Sequence, residues 1–393
     1  MTVAAALKID GERREVLRRR LRELGFDEAR FAQVGGESGT GLREWLGAGM
    51  HADMAWMERS AEKRSNAEMV LPGARSMIIL GVNYWPGADF EARNTAGNRP
   101  RWARYALHED YHDTIKPALI AAGRLLEEMA GVGERDYRYY VDTGPVMERG
   151  WAARSGLGFR GKNAMLISKT HGNWLFLATI LTRVEITPDE PLRKTVLPPE
   201  EGERAGLLCG KCTRCLDACP TDAFSAPGIV DSRRCISYQT IENKGIIPRE
   251  LREGIGMRIY GCDVCLEVCP WNRFAQMGRQ VLLAARHDMA ELSLKEILEL
   301  TPERFAEVFR KTAIKRLKIT GLLRNACVVA GNLGDVELLP AVTKLAAHES
   351  PVVRAHAVWA VRKLAGDDDA RFRLSLARRN ENDPVVLAEY PSD

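Results

Sequence analysis

The spacing of the cysteines constrains this chain more than any other feature. Eight of its nine cysteines lie between residues 209 and 269. The first run, Cys209 to Pro220, has the spacing C-x2-C-x2-C-x3-C-P, which is typical of bacterial-type ferredoxins. In that pattern three close cysteines bind one cluster and the fourth binds a second cluster. The sequence therefore predicts a region that folds around iron-sulfur clusters.

The second cysteine run is incomplete, because Ile259 stands where its first cysteine is expected, and Cys235 is the obvious substitute. Ligation that crosses between the runs then uses all eight cysteines in two 4Fe-4S clusters. One predicted set is Cys209, Cys212, Cys215 and Cys269. The other predicted set is Cys219, Cys235, Cys262 and Cys265.

Two other uses of these cysteines stay open. Cys-x-x-Cys pairs are also typical of zinc sites, although zinc requires neither the third cysteine nor the paired Cys-Pro endings. A disulfide framework is less favoured in a 393-residue chain with clustered cysteines and no signal peptide. The ninth cysteine, Cys327, lies in an apolar helical stretch and is expected to be a buried structural thiol.

Length and charge limit the class of protein. A chain of 393 residues exceeds what one hydrophobic core usually supports, so two or three domains are expected. The net charge of +4 is small, and an anionic partner would need a local basic patch. Arginines within the first twenty residues argue against a secretory signal, and the longest apolar run, Trp174 to Leu181, is too short to span a membrane. We expect a cytoplasmic protein without membrane contact.

Three regions are predicted along the chain. Residues 1–190 alternate predicted helices and strands, which indicates an α/β domain. A proline-containing linker over 186–206 leads into a ferredoxin-like cluster domain at 200–275. Residues 285–393 are predicted to be all-α and HEAT-like, because the segment 322–335 resembles the segment 352–367.

Within the α/β region the predicted elements have definite positions. Asp10 is expected to cap a first helix, and a second helix is expected over Leu42 to Met50. A long helix is predicted over Tyr111 to Met129. The predicted strands are Ser76 to Tyr84, Tyr137 to Val141, Leu166 to Ser168 and Trp174 to Val184.

The densest stretch for chemistry runs from Val141 to Asn163. Asp142 ends a predicted strand just before a predicted helix with Pro145 in its first turn. Either Asp142 or Thr143 only caps that helix, or the carboxylate is a functional group held at the positive helix end. The glycines that follow, Gly156-x-Gly158-x-x-Gly161, formally match the dinucleotide fingerprint.

That fingerprint requires a strand before the glycines and a helix after them, whereas here the order is reversed. We interpret the glycines as a flexible loop of close backbone approach, and we predict neither NAD nor FAD binding.

A basic run follows much later, where Lys311, Lys315 and Lys318 are predicted to share one helix face. This run is either solvated surface or a stripe that contacts phosphates.

Two clusters conduct electrons singly, so the two-electron reduction of an organic substrate requires a further cofactor that accepts electrons one at a time. The α/β region is the place for that cofactor. The motif Asp-x-His-x-x-Gly, which supplies a histidine ligand to cobalamin, is not met, because Asp110-Tyr-His112 is followed by Ile115 where glycine is needed. The residues alone therefore predict an iron-sulfur reductase with an unidentified redox cofactor.

A resemblance to a known family extends this prediction. The chain resembles the epoxyqueuosine reductases, with Ala67 as a departure where relatives tend to have proline. The resemblance is carried by the cysteine runs together with the segments Arg101 to His112, Val141 to Asn163, Arg233 to Tyr238 and Arg258 to Arg273. It implies reduction of epoxyqueuosine to queuosine at the wobble position of tRNA, with base-off cobalamin that has no protein ligand to cobalt.

The resemblance also implies roles for individual residues. Asp142 is the implied proton donor, which requires burial and a pKa about 3 units above its usual value near ~4. The implied cobalamin cradle is Arg64, Arg104, Asp142, Leu166, Leu177, Ser237 and Asp263. The candidates for tRNA phosphate contacts are Lys244, Arg249, Lys311, Lys315, Lys318 and Arg324. A low-potential electron donor and a monomeric state are also expected.

Two rival functions remain at this point. One is a corrinoid or flavin iron-sulfur reductase for a small molecule, such as a reductive dehalogenase, although such proteins usually carry an export signal. The other is a ferredoxin-like carrier or RNA-binding scaffold without chemistry of its own. The α/β region argues against a simple carrier, because a carrier needs only the cluster fold.

Overall fold

The computed structural model describes residues 8–35, 39–87, 97–193, 204–279, 281–283 and 285–391. The predicted linker at 186–206 is described only in part, because residues 194–203 lie outside these ranges. Residues 1–7 of the first predicted region and residues 392–393 of the last also lie outside the described residues.

The strands of the described residues form one four-stranded sheet and several two-stranded pairs. In chain order the strands are β1 Lys8–Ile9, β2 Glu28–Gln33, β3 Ser76–Asn83, β4 Arg101–Trp102, β5 Tyr137–Val141, β6 Gly158–Arg160, β7 Leu166–Ser168, β8 Leu175–Thr182, β9 Glu185–Ile186, β10 Phe224–Ala226, β11 Ile229–Val230 and β12 Arg258–Tyr260. The four predicted strands of the first region are confirmed as β3, β5, β7 and β8.

The main sheet has the order β2-β3-β8-β5, and every neighbouring pair is antiparallel. The mixed content predicted for this region is confirmed. Alternating strands and helices favour a parallel sheet, however, and this sheet is not parallel. The reason is that β3 and β5, which the long helix connects, run in the same direction but have β8 inserted between them.

The helices of the N-terminal region cover the sheet and carry the site residues to one end of it. They are Gly11–Glu23, Thr40–Gly47, Ala55–Arg59, Ala61–Ser65, Tyr111–Ala130 and Glu148–Arg154, with 3-10 turns at Ala67–Met69, Arg104–Leu107 and Glu134–Asp136. The long helix begins at Tyr111 because the Asp110 carboxylate accepts the backbone N–H of His112 at 3.1 Å. The first helix follows Asp10 as predicted, but the Asp10 side chain makes no capping hydrogen bond.

The cysteine-rich region consists of short elements joined by loops. Its helices are Arg214–Asp217, Ile236–Ile241, Arg249–Ile255 and Val264–Glu267, followed by a 3-10 turn at Pro270–Phe274. β10 and β11 form an antiparallel hairpin. β12 pairs in parallel with β4, so main-chain hydrogen bonds tie this region to the N-terminal one.

The C-terminal region is helical, as predicted. Its helices are His287–Ala290, Leu294–Leu298, Pro302–Val308, Lys318–Leu333, Leu339–Leu345, Pro351–Arg373, Ser375–Arg379 and Pro384–Leu387, with 3-10 turns at Ala313–Leu317 and Val336–Leu338. The two similar sequence segments lie in Lys318–Leu333 and Pro351–Arg373, the second of which is kinked at Gly366. Cys327 lies on the first of these helices and is fully buried in the apolar core, which confirms the predicted burial of this thiol.

One apolar core is shared by the cysteine-rich and C-terminal regions. It joins Ile236 and Ile259 to Val329 and Val358. Because apolar contacts run without a break across the two regions, their relative position is set by packing. Across the described ranges, the helices are all too short or too polar to traverse a lipid bilayer.

Candidate active site

Asp142 lies in an irregular loop directly after β5. The helix that follows begins at Glu148, with Met147 at its N-cap, so the prediction that Asp142 or Thr143 caps this helix is wrong. The alternative prediction of a carboxylate at the positive end of that helix is also wrong. Asp142 has φ of 58°, a left-handed conformation that non-glycine residues rarely adopt. Such an outlier points to a functional constraint on the loop.

The Asp142 carboxylate meets two side chains from the start of the long helix. Tyr111 donates a hydrogen bond from Oη to Asp142 Oδ2 at 2.7 Å. Nε2 of His112 lies 3.7 Å from the same oxygen, which makes an ion pair. The other ring nitrogen of His112 contacts Asp110 Oδ1 at 2.7 Å. Asp110, His112 and Asp142 therefore form a row of alternating acid and base, and we call it the acid–histidine row.

The ionisation of Asp142 differs from the protonated carboxyl group that the sequence predicted. The Asp142 side chain is 63% exposed. The nearby His112 imidazolium, aided by the Tyr111 hydroxyl, lowers the pKa of Asp142 to about 2. Asp142 is thus ionised at neutral pH, and the expected burial with a raised pKa is wrong. The sequence did not reveal the cause, because His112 is thirty residues away along the chain.

His112 carries the positive charge of the row. Burial disfavours the imidazolium, but the carboxylates of Asp110 and Asp142 outweigh burial and raise the pKa of His112 to about 9. The Tyr111 ring stacks on the His112 ring at 4.0 Å between centroids and on Phe176 at 4.2 Å. This stacking limits the movement of both rings.

Glu148 is a second acid beside Asp142 and behaves differently. Burial, aided by the neighbouring Asp142 carboxylate, raises the pKa of Glu148 to about 7. Its Oε1 is enclosed and has no hydrogen-bond partner among the described residues. A carboxyl group in such surroundings is partly protonated at neutral pH.

Part of the predicted cofactor cradle surrounds this end of the sheet. Leu177 on β8 lies next to Ala178, which pairs with Val141 just before Asp142. The first three residues of β8, Leu175 to Leu177, are apolar but only half-buried, whereas the rest of the strand is buried. Leu166 packs in the same apolar cluster. An open apolar surface next to a carboxylate suits an apolar macrocycle with polar edges.

Arg64 reaches this surface from another helix, where its guanidinium donates to Val146 O at 3.1 Å and to Ser60 Oγ at 2.9 Å. These contacts fix the loop that contains Asp142. Ser237 lies farther away and donates from Oγ to Cys262 O at 3.5 Å.

Arg104 and Asp263, the two remaining cradle residues, bind each other. The backbone N–H of Arg104 donates to Asp263 Oδ2 at 2.7 Å, and its guanidinium contacts the same oxygen at 3.2 Å. The guanidinium also contacts Glu267 at 2.8 Å and lies 4.6 Å from the Trp174 ring centroid. Both side chains are buried, so this pair joins the N-terminal region to the second cysteine run.

The eight clustered cysteines are half-buried and unbridged. Burial raises the pKa of Cys209 and Cys215, and the pKa of both rises further because the Cys269 thiolate is near. Burial also raises the pKa of Cys262 to about 12, with the Cys235 thiolate adding to the effect. Cys269 of the second run is therefore a neighbour of the first run.

The second group of thiols shows the matching arrangement. The Cys219 thiolate contributes to the raised pKa of Cys235. Cys265 has a pKa well above its usual value because of burial and then because of Cys262 and Cys235. In the described residues, no three His, Cys, Asp or Glu side chains converge around a point where a single metal ion fits.

Residues Gly161 to Asn163 attach the N-terminal region to the cysteine runs. Lys162 Nζ donates to Gly210 O at 2.8 Å and to Cys212 O at 3.0 Å. Asn163 Nδ2 donates to Cys265 O at 3.2 Å. Sequence reasoning assigned no role to Lys162. The signal that was available is its position directly after the third glycine of the glycine-rich segment.

The glycines before Lys162 are close-approach positions, as predicted. A side chain on Gly158 would place Cβ 2.4 Å from Ile167 O, and one on Gly156 would place it 2.3 Å from Glu190 O. The segment follows the helix Glu148–Arg154 and contains β6, so it does not have the order of a dinucleotide site.

The basic run forms a cleft rather than a helix face. Lys311, Lys315 and Lys318 line a cleft of about 440 Å³ together with Arg310 and Arg316. The 3-10 turn Ala313–Leu317 and positive φ values at Lys311 and Lys318 break the chain direction, so the predicted single helix face is wrong. The cleft also includes Asp110 and therefore adjoins the acid–histidine row.

Arg324 is wrongly predicted as a phosphate contact. It is fully buried and donates hydrogen bonds to the carbonyl oxygens of Gln239, Asn243 and Gly245. It is a structural residue that holds the cysteine-rich region to the C-terminal helices.

Lys244 and Arg249, the other two predicted phosphate contacts, are exposed residues with contacts inside the protein. Lys244 Nζ donates to Ile241 O at 2.7 Å. Arg249 contacts Glu389 at 2.9 Å. Both would have to exchange these contacts for a phosphate.

Two family models match the chain. The model described as 4Fe-4S double cluster binding domain matches residues 208–272. The model described as Epoxyqueuosine reductase QueG, DUF1730 matches residues 64–143. The first match covers all eight clustered cysteines, and the second covers the acid–histidine row.

Curated relatives match over most of their length. An epoxyqueuosine reductase from Xanthomonas campestris is 36% identical over 344 residues, which cover 86% of this chain and 93% of the relative. An epoxyqueuosine reductase from Cyclobacterium marinum is 36% identical over 317 residues, which cover 79% of this chain and 94% of the relative.

Solved structures agree with these matches. One is a crystal structure of epoxyqueuosine reductase with an epoxyqueuosine-modified tRNA stem loop, at 28% identity and a TM-score of 0.81, covering 95% of this chain and 96% of that one. Another, from Bacillus subtilis, has the same values, and its catalytic aspartate loop is swung out of the active site. The chain belongs to the epoxyqueuosine reductase family.

Proposed function

We propose that this chain reduces epoxyqueuosine to queuosine in tRNA. The proposal rests on three features that meet at one end of the main sheet. The Asp142 carboxylate is exposed there, and the start of β8 presents a half-buried apolar surface. Lys162 and Asn163 attach the cysteine runs to the same region. Electrons from clusters and protons passed on by an acid are the two requirements for removing an epoxide oxygen.

Two 4Fe-4S clusters are proposed to use the crossed ligand sets. The closeness of Cys269 to Cys209 and Cys215 supports the set Cys209, Cys212, Cys215 and Cys269. The influence of neighbouring thiolates on Cys235 and Cys265 supports the set Cys219, Cys235, Cys262 and Cys265. The thiol pKa values are high, but coordination to iron removes the proton of a thiol.

Cobalamin is the proposed cofactor, and the described residues fit it. Leu166 and Leu177 supply an apolar face, and Arg64 supplies a polar group beside it. Ser237, which lies farther away next to Cys262, is proposed as an outer polar contact. Arg104 and Asp263 already satisfy each other, so we assign them to the support of the cradle. When bound, cobalamin would supply low-potential electrons for the reduction of the epoxide. The chain itself would provide the cofactor pocket, the cysteine ligands of the clusters and the proton donor.

Asp142 is the proposed residue that delivers a proton to the departing oxygen. Its Oδ2 is held by Tyr111 and His112, and its side chain is otherwise exposed towards the open end of the sheet. The left-handed backbone at Asp142 keeps the carboxylate beyond the end of β5.

The cleft of Lys311, Lys315 and Lys318 is the proposed binding site for tRNA phosphates, with Lys244 and Arg249 as outer contacts. Its position beside Asp110 would bring the bound nucleotide close to Asp142.

The proposed layout is a cobalamin-binding region at 1–190, a cluster region at 200–275 and a HEAT-like tRNA-binding region at 285–393. Because tRNA is the substrate, we place the protein in the cytoplasm. The monomeric state and the low-potential donor stay predictions.

The test is an assay of the purified chain with cobalamin, a low-potential reductant and tRNA that contains epoxyqueuosine. Nucleosides from digested tRNA are separated and identified by mass. Queuosine should accumulate while epoxyqueuosine disappears. Unchanged epoxyqueuosine, with both clusters and cobalamin present, would contradict the proposed function. The rival small-molecule reductase would then be tested with halogenated phenols as substrates.

A further inference from the structure

The proposed reaction needs more protons than Asp142 can hold. Removing an epoxide oxygen as water breaks two C–O bonds and forms a C=C bond, which consumes two electrons and two protons. The proposed clusters would supply the electrons, which come from the low-potential donor. A single carboxyl group carries one proton, and Asp142 at rest carries none, because its pKa is lowered to about 2. A second group must therefore supply protons to Asp142.

We propose that His112, held by Asp110, is the positioning residue and proton relay that supplies both protons through Asp142. This inference rests on the proposed function and names the source of the protons for that same site. In each step, a proton passes from Nε2 of His112 to the Asp142 carboxylate, and Asp142 then passes that proton to the oxygen. The imidazole then regains a proton from solvent.

The geometry of the acid–histidine row supports the relay. Asp110 Oδ1 accepts from Nδ1 of His112 at 2.7 Å, which leaves Nε2 as the nitrogen that faces Asp142. Asp110 also caps the long helix through the backbone N–H of His112, so the ring and its helix are fixed by the same carboxylate. The distance of 3.7 Å between Nε2 and Asp142 Oδ2 is short enough for small movements to close.

The direction of transfer follows from basicity. A resting Asp142 is a weaker base than His112, so the imidazolium does not protonate it before the reaction begins. An alkoxide forms as the C–O bond breaks, and it is far more basic than either group. The proton then moves from His112 through Asp142 to the oxygen.

Other ionisable groups also face the acid–histidine row. Tyr111 donates to Asp142, but burial and the nearby carboxylates raise its pKa far above the usual value, so its hydroxyl is a poor acid. Arg316 acts on Asp110 and Arg149 acts on Asp142, and both stay charged. Glu148 is the strongest alternative to His112 as the proton source.

Glu148 has a carboxyl group that is partly protonated at neutral pH and an enclosed oxygen without a partner. Among the described residues, however, the Glu148 side chain makes no hydrogen bond to Asp142, whereas Nε2 of His112 faces Asp142 Oδ2 at 3.7 Å. The side chains of His112 and Asp110 are about a quarter exposed, which gives the relay access to water.

The relay predicts a specific dependence on pH. Because the pKa of His112 is raised to about 9, the imidazolium is present below that pH and is lost as the pH rises through it. Turnover should therefore stay high towards neutral pH and fall above about 9. In Asp110→Asn, which removes a carboxylate that favours the imidazolium, the fall should begin at lower pH.

The experiment compares His112→Ala with wild type in the assay with epoxyqueuosine tRNA, with and without added imidazole. His112→Ala should lose turnover by about 10²-fold or more. Imidazole should restore much of the rate, and more at about pH 6 than at about pH 8, because the imidazolium donates the proton. Asp142→Ala should gain nothing from imidazole. Iron content and tRNA affinity, measured on the same preparations, should match wild type.

The outcomes separate the two proposals. An inactive wild type overturns the proposed function. An active wild type with a fully active His112→Ala overturns the relay alone. A loss in His112→Ala that imidazole does not restore also overturns the relay, since it assigns His112 a purely structural role. A loss in Glu148→Gln together with normal turnover in His112→Ala would assign the protons to Glu148.

Discussion

At the scale of single residues, the ionisation of Asp142 is decided by its partners across space. Burial was expected to keep this carboxyl protonated, but His112 and Tyr111 lower its pKa to about 2. A carboxylate in contact with an imidazolium and a phenol is stabilised in its charged form. The ionisation of Asp142 is therefore a property of a group of residues, since it depends on side chains at the start of the long helix.

Replacing Asp142 by asparagine tests its role with little change of shape. Asp142→Asn should lose turnover by about 10²- to 10⁴-fold, because an amide cannot pass on a proton. Iron content, cobalamin binding and tRNA affinity should be retained. Asp368→Asn, an exposed aspartate in the C-terminal region, is the matched control and should turn over normally. Near-normal turnover in Asp142→Asn would remove the assignment.

The local sequence of the N-terminal region predicted where its strands lie, but it did not predict the contacts of the loop that contains Asp142. β5 and β7 have the predicted bounds, because short apolar runs bounded by turn residues specify them. The loop after β5 was wrongly predicted as a helix start, because Pro145 is also favourable in an irregular loop. The contacts of Asp142 depend on Tyr111 and His112, and no local pattern connects them.

At the scale of elements, the loop Gly161–Asn163 controls how the N-terminal region meets the first cysteine run. The sequence showed close backbone approach there, but not the reason for it. The reason is that Lys162 spans the junction and contacts the carbonyl oxygens of Gly210 and Cys212. Its ammonium also lowers the pKa of the Cys209 thiol, against the stronger effect of burial.

Removing the Lys162 charge should therefore change the nearby cluster. In Lys162→Gln, the reduction potential of the cluster bound by Cys209 should become more negative, because a positive charge favours the electron-rich state. A contribution of about 1 kcal/mol corresponds to about 40 mV for a one-electron couple. Redox titration followed by electron paramagnetic resonance measures this shift. Lys169→Gln is the control, and an equal shift in both variants would contradict the assignment.

The buried Arg324 is an element-scale feature that a charge pattern cannot distinguish from a phosphate contact. A buried arginine and a phosphate-binding arginine can both follow lysines in sequence, and only the three-dimensional structure shows which of the two is buried. Arg324 is fully buried and donates to three main-chain carbonyl oxygens. Leaving several buried carbonyl groups without donors costs about 1–3 kcal/mol each.

Arg324→Leu should therefore lower stability by about 3–5 kcal/mol, measured by chemical unfolding of the intact chain. Lys315→Met, a substitution in the cleft at an exposed residue, should leave stability within about 0.5 kcal/mol of wild type and weaken tRNA binding instead. The account of Arg324 fails if the two variants are equally stable.

At the scale of the whole molecule, three regions converge on one site. The apolar core shared by the cysteine-rich and C-terminal regions fixes the basic cleft relative to the clusters. The backbone N–H of Asp110 donates to Lys311 O at 2.8 Å, so the cleft also touches the acid–histidine row. The sequence predicted the three regions from composition and cysteine spacing. It did not predict their contacts, because those join residues that are far apart along the chain, such as Lys162 with Gly210 and Arg324 with Asn243.

The cleft should determine the salt dependence of tRNA binding. Each phosphate contact contributes about 0.7–0.9 to the slope of log affinity against log salt concentration. The triple variant Lys311→Gln, Lys315→Gln and Lys318→Gln should therefore have a slope smaller in magnitude by about 2–3. Binding of a labelled anticodon stem loop at several salt concentrations measures it. An unchanged slope would place the phosphates elsewhere on the protein.

The most direct test of the central claim is the iron content of the wild-type chain purified without oxygen. Two clusters of the 4Fe-4S type require about eight iron atoms per chain, together with equal acid-labile sulfide. We predict that value, with zinc below one atom per chain. About four iron atoms, or zinc in place of iron, would contradict the crossed sets of cysteines and the electron path built on them.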